Sequence, residues 1–197
     1  MRKKITKEEV NELPLQAYEG EVVLLEDPKG YKEAVKEIRE YSIIGFDTES
    51  KPSFTKGIKN QIALVQLATD EKVYLFRLPK GDMPAELKKI LEDPNIEKIG
   101  IGIDDDINDL RRIGVAKPKC FLDLNKLAKK AGFHNTGARN LSAMVLGFRI
   151  SKSAQTSNWE RDELTDKQIS YAATDAWICL KIYEKLYEYD HQSNIEK

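Results

Sequence analysis

A short apolar run leads directly into two acids in Ser42-Ile43-Ile44-Gly45-Phe46-Asp47-Thr48-Glu49. Its β-branched residues predict a buried strand with the acids at its C-terminal end. Because side chains alternate between the faces of a strand, Asp47 and Glu49 project to one side while Thr48 points to the other. Two carboxylates at this spacing can share one cation such as Mg²⁺ or Mn²⁺. The alternative is a pair of acids that simply opens a solvated loop.

A long amphipathic helix is predicted over 165–189, where apolar residues recur at helical spacing. Thr165 and Gln168 form a capping-box pattern at its start. Tyr171 and Asp175 are four residues apart, so they lie on one face about one turn from each other. This spacing suits a metal ligand beside a hydroxyl that orients water. The alternative is a surface aspartate with a half-buried tyrosine.

A third group of acids follows the apolar stretch Ile99-Gly100-Ile101-Gly102-Ile103, in Asp104-Asp105-Asp106. These residues lie at the start of a predicted helix, where the helix dipole favours acids. Asp104 or Asp105 could therefore serve only as the helix cap.

Together, the three motifs resemble those of the DEDD superfamily of 3′-5′ exonucleases, in its tyrosine-bearing branch. The chain is most similar to the Werner-type exonuclease domain and more distantly similar to ribonuclease D, from about Val22 to Leu186. The motifs that carry the resemblance are Gly45-Phe46-Asp47-Thr48-Glu49, Gly100-Ile101-Gly102-Ile103-Asp104-Asp105-Asp106, Ser157-Asn158-Trp159 and Tyr171-Ala172-Ala173-Thr174-Asp175-Ala176.

The resemblance implies an α/β fold of the ribonuclease-H-like type, a mixed sheet flanked by helices. It also implies hydrolysis of the terminal phosphodiester bond with two ions of Mg²⁺ or Mn²⁺ per site. The metal ligands would be Asp47, Glu49, Asp106 and Asp175, with Asp104 as the alternative to Asp106. Tyr171 would orient the attacking water and help to remove its proton.

Nucleic-acid contacts are expected around these motifs. A base could stack on Phe54, in the loop that follows the first motif, while lysines such as Lys56 and Lys59 meet phosphates. The complete set of predicted contact residues is Thr48, Lys51, Phe54, Lys152, Asn158, Trp159 and Arg161.

We predict strands over 22–25, 42–46, 62–68, 73–76 and 99–103, with a further short segment at 120–122. The strands over 62–68 and 73–76 should form an antiparallel hairpin through the polar link 69–72. Helices are predicted over 31–40, 84–91, 107–113, 123–131 and 141–146, in addition to 165–189.

Length and composition predict one domain over 1–197, with a core of about 22–189 and polar ends that fray, and the resemblance implies that it is a 3′-5′ exonuclease domain. The chain has 197 residues, of which 41% are hydrophobic, which suffices for a core without disulfides. Its net charge of −1 gives no support to nucleic-acid binding. No apolar stretch is long enough to span a bilayer, so we expect a cytoplasmic protein that contacts no membrane.

The predicted function is therefore a 3′-5′ exonuclease that releases nucleoside 5′-monophosphates from the 3′ end of nucleic acid, with DNA favoured over RNA. Two alternatives stay open: an exoribonuclease of stable RNA processing, like ribonuclease D, and a non-catalytic nucleic-acid-binding module. The residues predict no oligomeric state.

Overall fold

The computed structural model describes residues 1–53, 55, 57, 59–78 and 83–195. The strands are β1 (Glu21–Leu25), β2 (Ile43–Ser50), β3 (Ile62–Ala68), β4 (Lys72–Arg77), β5 (Glu97–Gly100) and β6 (Phe121–Asp123). The helices are α1 (Lys7–Glu12), α2 (Pro28–Ile38), α3 (Ala85–Leu91), α4 (Asp104–Arg112), α5 (Leu124–Lys130), α6 (Ala138–Leu141), which continues into a π-helical turn (Ser142–Leu146), and α7 (Asp166–Ile195).

The strands form one mixed sheet in the order β1-β4-β3-β2-β5-β6. Strands β2, β3 and β4 run antiparallel to their neighbours in this meander, whereas β1 pairs with β4, and β5 with β2 and β6, in parallel. The predicted hairpin between β3 and β4 is confirmed, and the amide of Thr69 donates to the carbonyl of Lys72 across its turn at 2.9 Å. A mixed sheet with helices on its faces is the predicted architecture.

Helices cover both faces of the sheet because the central strands are apolar on both sides. Side chains such as Phe46 and Val65 point to the face covered by α2, α3 and α4. On the opposite face, Leu64 and Ala68 of β3 pack with Ala172, Ala173 and Ala176 of α7.

Gly45 lets α7 cross directly over β2. A Cβ atom on Gly45 would lie 2.1 Å from the carbonyl oxygen of Ala176, a distance that no real Cβ atom tolerates. The missing side chain therefore sets the separation between β2, which carries the first acids, and the helix that carries Asp175.

The junction between β5 and α4 differs from the prediction. The strand ends at Gly100 and the helix begins at Asp104, because a turn with Gly102 at φ +74° lies between them. Ile103 is the N-cap residue and makes no side-chain capping bond. The prediction that Asp104 or Asp105 caps this helix is therefore wrong, and all three aspartates lie in its first turn.

Helical structure extends toward both ends of the chain. Ile5 is buried, and a capping box between Thr6 and Glu9 starts α1, which packs Val10 into the core. At the other end, α7 continues to Ile195. None of the helices in the described ranges has both the length and the apolar character needed to cross a membrane.

Candidate active site

Three carboxylates from two elements converge beside the sheet. Asp47 and Glu49 lie near the end of β2, and Asp175 lies in the middle of α7. One oxygen from each side chain lies within 4.8 Å of the other two. Glu49 and Asp175 are only 9% and 8% exposed, so the acids are held largely out of water. The structure thus brings together residues that are as many as 128 positions apart in sequence.

Burial and mutual repulsion keep these acids from ionising easily. Burial is the main cause that raises the pKa of Glu49 to about 9, and the nearby Asp175 and Asp106 add to it. Burial also raises the pKa of Asp175 to about 7, although the Tyr171 hydroxyl and Lys152 oppose this shift. The pKa of Asp47 is raised by burial and by the three other acids. Such a cluster is a place where positive charge would be strongly stabilised.

Tyr171 precedes Asp175 by about one helical turn, as predicted, and lines the same cleft. Burial, followed by the charges of Asp175 and Glu49, raises the pKa of its hydroxyl above the ordinary value for tyrosine. Its ring packs on Trp159, with ring centroids 6.1 Å apart. The phenol therefore keeps its proton and sits on a rigid aromatic support.

Asp106 does not belong to the close set of three carboxylates. It lies at the start of α4, where its carboxylate accepts a hydrogen bond from the Thr48 hydroxyl. Burial is the main cause that raises its pKa, and the Thr48 hydroxyl lowers it. Asp104, the alternative ligand, is exposed and pairs with Lys126 at 2.5 Å. Asp106 is thus the acid of this group that approaches β2.

The acids open into a cleft of about 670 Å³. Its walls come from the end of β2, the start of α6 and the segment 150–155. Most of the lining side chains near the acids are polar, as is usual for a site that binds a charged ligand. They include Asn125, Asn135, Thr136, Asn140, Ser151, Lys152 and Gln155.

A second groove, of about 340 Å³, lies on the other side of Tyr171. Tyr171 and Ser151 line both the groove and the cleft. Leu15, which is 54% exposed, forms part of the wall of the second groove. A backbone bridge between Leu15 and Arg149 holds that segment in place. The two depressions therefore meet at the tyrosine.

A family model described as 3′-5′ exonuclease matches residues 22–189 of this chain. The chain belongs to the 3′-5′ exonuclease family. Among curated proteins, it is 38% identical over 150 residues to the mouse protein named bifunctional 3′-5′ exonuclease/ATP-dependent helicase WRN. That match covers 73% of this chain but only 11% of the mouse protein.

Solved structures give the same family and fold. The EXO domain of Aedes aegypti Nibbler is 25% identical, with a TM-score of 0.78 over 88% of this chain and 91% of that one. Escherichia coli RNase D is 26% identical, with a TM-score of 0.77 over 90% of this chain and 46% of that one. The predicted family and the predicted ribonuclease-H-like fold are both confirmed.

The donor set of this exonuclease domain suits the divalent metal ions that the family implies. Carboxylate oxygens are the ligands that Mg²⁺ and Mn²⁺ prefer, and three of them lie close enough to share an ion. Burial raises the pKa of all three carboxyl groups, and a bound cation would favour their charged forms. The residues therefore fit a divalent cation.

The predicted nucleic-acid contacts have different placements. Lys152 is exposed and lies on the cleft rim. Lys51 pairs with Glu160 at 3.6 Å, and Lys59 with Asp105 at 3.3 Å. Exposed at the surface are Asn158 and Arg161, whereas Phe54 and Lys56 lie outside the described residues.

Two of the predicted contacts are instead turned toward the protein. Trp159 is 1% exposed, because it packs under Tyr171 and against α7. The prediction that it contacts nucleic acid is therefore wrong, and it acts as a support for the tyrosine. Thr48 is half-buried and directs its hydroxyl to Asp106.

Sequence reasoning missed the neutral polar residues of the cleft, which lie in loops or short helices and match no motif. It also missed Gln66, the one polar side chain in the otherwise apolar Ile62-Ala63-Leu64-Val65-Gln66-Leu67-Ala68. A polar residue at an inward position of a buried strand was the signal that could have identified it.

Proposed function

We propose that this exonuclease domain hydrolyses the terminal phosphodiester bond at the 3′ end of nucleic acid and releases nucleoside 5′-monophosphates. The observation that carries the proposal is the convergence of Asp47, Glu49 and Asp175 within 4.8 Å, beside Tyr171, in a chain that belongs to this family. The expected cofactor is Mg²⁺ or Mn²⁺, with two ions per site.

Asp47, Glu49 and Asp175 would hold the cations, with Asp106 as the fourth ligand. Divalent cations bound there lower the pKa of water and stabilise negative charge on the reacting phosphate. The chain contributes a fixed set of carboxylates on a strand and a helix, so little reorganisation is needed when substrate arrives. Burial also removes competing water, which strengthens every charge interaction in the site.

Tyr171 is proposed to orient the attacking water through its hydroxyl. Its raised pKa means that the phenol is protonated at neutral pH and is a poor proton acceptor. The buried Trp159 ring beneath it restricts its position. Tyr171→Phe should therefore reduce turnover substantially without abolishing it, because water loses one of its orienting groups and keeps the others.

The substrate strand is proposed to lie across the cleft rim, where the exposed Lys152 can meet a phosphate. Asn158, Arg161 and Lys51 are further proposed contacts on the surface, and Phe54 stays a prediction. DNA is the favoured substrate, because the chain is also 26% identical over 169 residues to DNA polymerase I of Aquifex aeolicus. RNA is the second candidate, because the chain is also similar to E. coli RNase D, described as an exoribonuclease involved in structured RNA processing.

The test compares 5′-labelled DNA and RNA, each single-stranded and with a recessed 3′ end, in Mg²⁺, Mn²⁺ or EDTA. We expect a ladder of products shortened from the 3′ end, which chelator abolishes. The preferred polymer then decides between the two substrates. A ladder that persists in EDTA would contradict the proposal.

The matched variants are Asp175→Asn in the cluster and Asp70→Asn in the exposed turn between β3 and β4. The first should lower turnover by about 10³-fold or more, because it removes a charge from the proposed metal site. The second should cleave like the wild type. Near-normal turnover of Asp175→Asn would rule out the assigned cluster.

A further inference from the structure

Gln66 is a polar residue sealed inside the apolar face of the sheet that α7 covers. It is 0% exposed, and both its side-chain oxygen and its side-chain nitrogen lack a hydrogen-bond partner among the described residues. Leu64 and Ala68, two positions away on either side, point to the same face and pack with α7. The amide therefore lies in an environment that offers it no compensation.

The register of the sheet places Gln66 directly opposite Asp47. These two residues are Cα partners in the antiparallel pairing of β2 with β3. Directly opposite residues project to the same face, with Cβ atoms about 4.5 to 5.5 Å apart. The side chain of Gln66, on the adjacent strand β3, is thus the lateral neighbour of Asp47 in the cluster.

The packing of the core alone does not account for this residue. A buried amide without partners destabilises the folded state, and an apolar side chain of the same size would not. The indole nitrogen of Trp159, in the same cluster of residues, is also without a partner and does not pair with the amide. Of the two cross-strand partners of Gln66, Leu75 on β4 has an apolar side chain, whereas Asp47 on β2 carries a carboxylate that can accept an N–H.

We propose that Gln66 is a positioning residue for Asp47: its side-chain amide donates an N–H to the Asp47 carboxylate when that carboxylate holds divalent cations. This inference rests on the proposed function. Partners of ligating carboxylates fix the orientation of the ligand and raise its effectiveness, and their loss commonly weakens metal binding by about 10- to 100-fold. The unpaired amide of Gln66 destabilises the protein without cations, and its hydrogen bond to Asp47 would stabilise the protein with cations bound.

The first experiment measures Gln66→Met, which keeps the length of the side chain and removes the amide. In EDTA, its melting temperature should equal that of the wild type or exceed it by about 3 °C, because an unpaired polar group is gone. Its Mn²⁺ affinity, measured by calorimetry without substrate, should be weaker by about 10-fold or more. A residue with a purely structural role would give the opposite pair of results, lower stability with unchanged affinity.

Leu75→Met is the matched control, because Leu75 is the partner of Gln66 on β4, packs on the same face and does not adjoin the acids of β2. It should bind Mn²⁺ like the wild type. Gln66→Leu provides a second amide-free variant. Unchanged Mn²⁺ affinity in both Gln66 variants would overturn the inference, and so would loss of folding in both, since the amide would then support the core.

The outcome is separable from that of the proposed function. If the wild type binds no Mn²⁺ and shortens no strand, the proposed function fails. If the wild type does both and Gln66→Met matches it, only the role of Gln66 fails.

Discussion

At the scale of single residues, the clearest conflict between charge and burial outside the cleft is Lys98. Its side chain is fully buried in β5, and its Nζ donates to the carbonyl of Asp93 at 2.8 Å. Nζ also lies 5.2 Å from the centre of the Phe121 ring. Burial lowers the pKa of this lysine from 10.5 to about 8, so the folded protein releases its proton more readily than the unfolded chain does.

This shift predicts a gain in stability at alkaline pH. Between about pH 8 and pH 10.5 the unfolded chain binds a proton at Lys98 that the folded protein has lost, so the free energy of unfolding rises with pH in that window. Across this pH window, the free energy of unfolding of the wild type should rise by about 2 to 3 kcal/mol relative to that of Lys98→Met. Urea titrations of both proteins over this range measure the difference.

The packing lost in Lys98→Met changes the free energy of unfolding by the same amount at every pH, so it does not affect the pH dependence that is compared. Lys129→Met, at an exposed position in α5, is the control and should show no such trend. A difference between wild type and Lys98→Met that stays constant with pH would show that the buried amine keeps its ordinary pKa.

At the scale of elements, the site depends on how closely α7 approaches β2. Gly45→Ala would place a methyl group against the backbone carbonyl of Ala176, which cannot move without shifting the helix. We expect a loss of about 1 to 3 kcal/mol in the free energy of unfolding. We also expect weaker Mn²⁺ binding, because Asp175 moves away from Asp47.

Chemical denaturation and calorimetry test this prediction. Gly30→Ala is a suitable control, because the tightest contact of a Cβ atom there would be with the end of the flexible Leu25 side chain, at 3.1 Å, and the Asp27 carboxylate would lie at an ordinary 3.6 Å. Full stability and full Mn²⁺ affinity in Gly45→Ala would mean that helix and strand are not packed as closely as the structure shows.

The start of α7 is also set by local chemistry. The Gln168 amide donates to the Thr165 hydroxyl oxygen at 3.3 Å, and the Thr165 amide donates to the side-chain oxygen of Gln168 at 3.2 Å. Thr165→Ala should cost about 1 kcal/mol, seen as a fall of about 2 to 4 °C in melting temperature. Thr165→Ser keeps the cap and should melt near the wild type, and equal melting of the two variants would argue against the capping box.

At the scale of the whole molecule, stability, pH and divalent cations are coupled through the acid cluster. Without cations, the folded protein holds protons on Glu49 and Asp175 up to about pH 9 and pH 7, whereas the unfolded chain releases them near pH 4.5 and 3.8. The contribution of these protons to the free energy of unfolding is complete below the pKa values of the unfolded chain. It is lost as the pH rises through the pKa values of the folded protein. Cations replace the protons, so their stabilising effect should grow with pH.

Melting curves from about pH 5.5 to pH 8.5, in EDTA and in Mg²⁺, test this coupling. The melting temperature should fall with pH in EDTA, and the increase caused by Mg²⁺ should become larger. Asp175→Asn should flatten the trend in EDTA. An effect of Mg²⁺ that is equal at every pH would contradict a cation site at these acids.

The strands and helices that carry the site followed from local patterns, because apolar periodicity and capping residues act over a few neighbours. The hairpin of β3 and β4 and the capping box at Thr165 are examples. The start of α4 was misplaced, because the turn around Gly102 depends on burial of Ile103 in the core. Helix α1 was missed for the same reason, since it packs on residues far along the chain.

The motifs alone identified the family, the acids and the tyrosine, because the chemistry of a carboxylate set depends on residue type and short spacing. Folding decided the rest: which acids meet within 4.8 Å, that Asp106 is tied to Thr48, that Trp159 is buried, and that Gln66 lies across from Asp47. Each of these facts depends on strand register and on the packing of α7 over β2. Such contacts join residues far apart in the chain, and no local pattern encodes them.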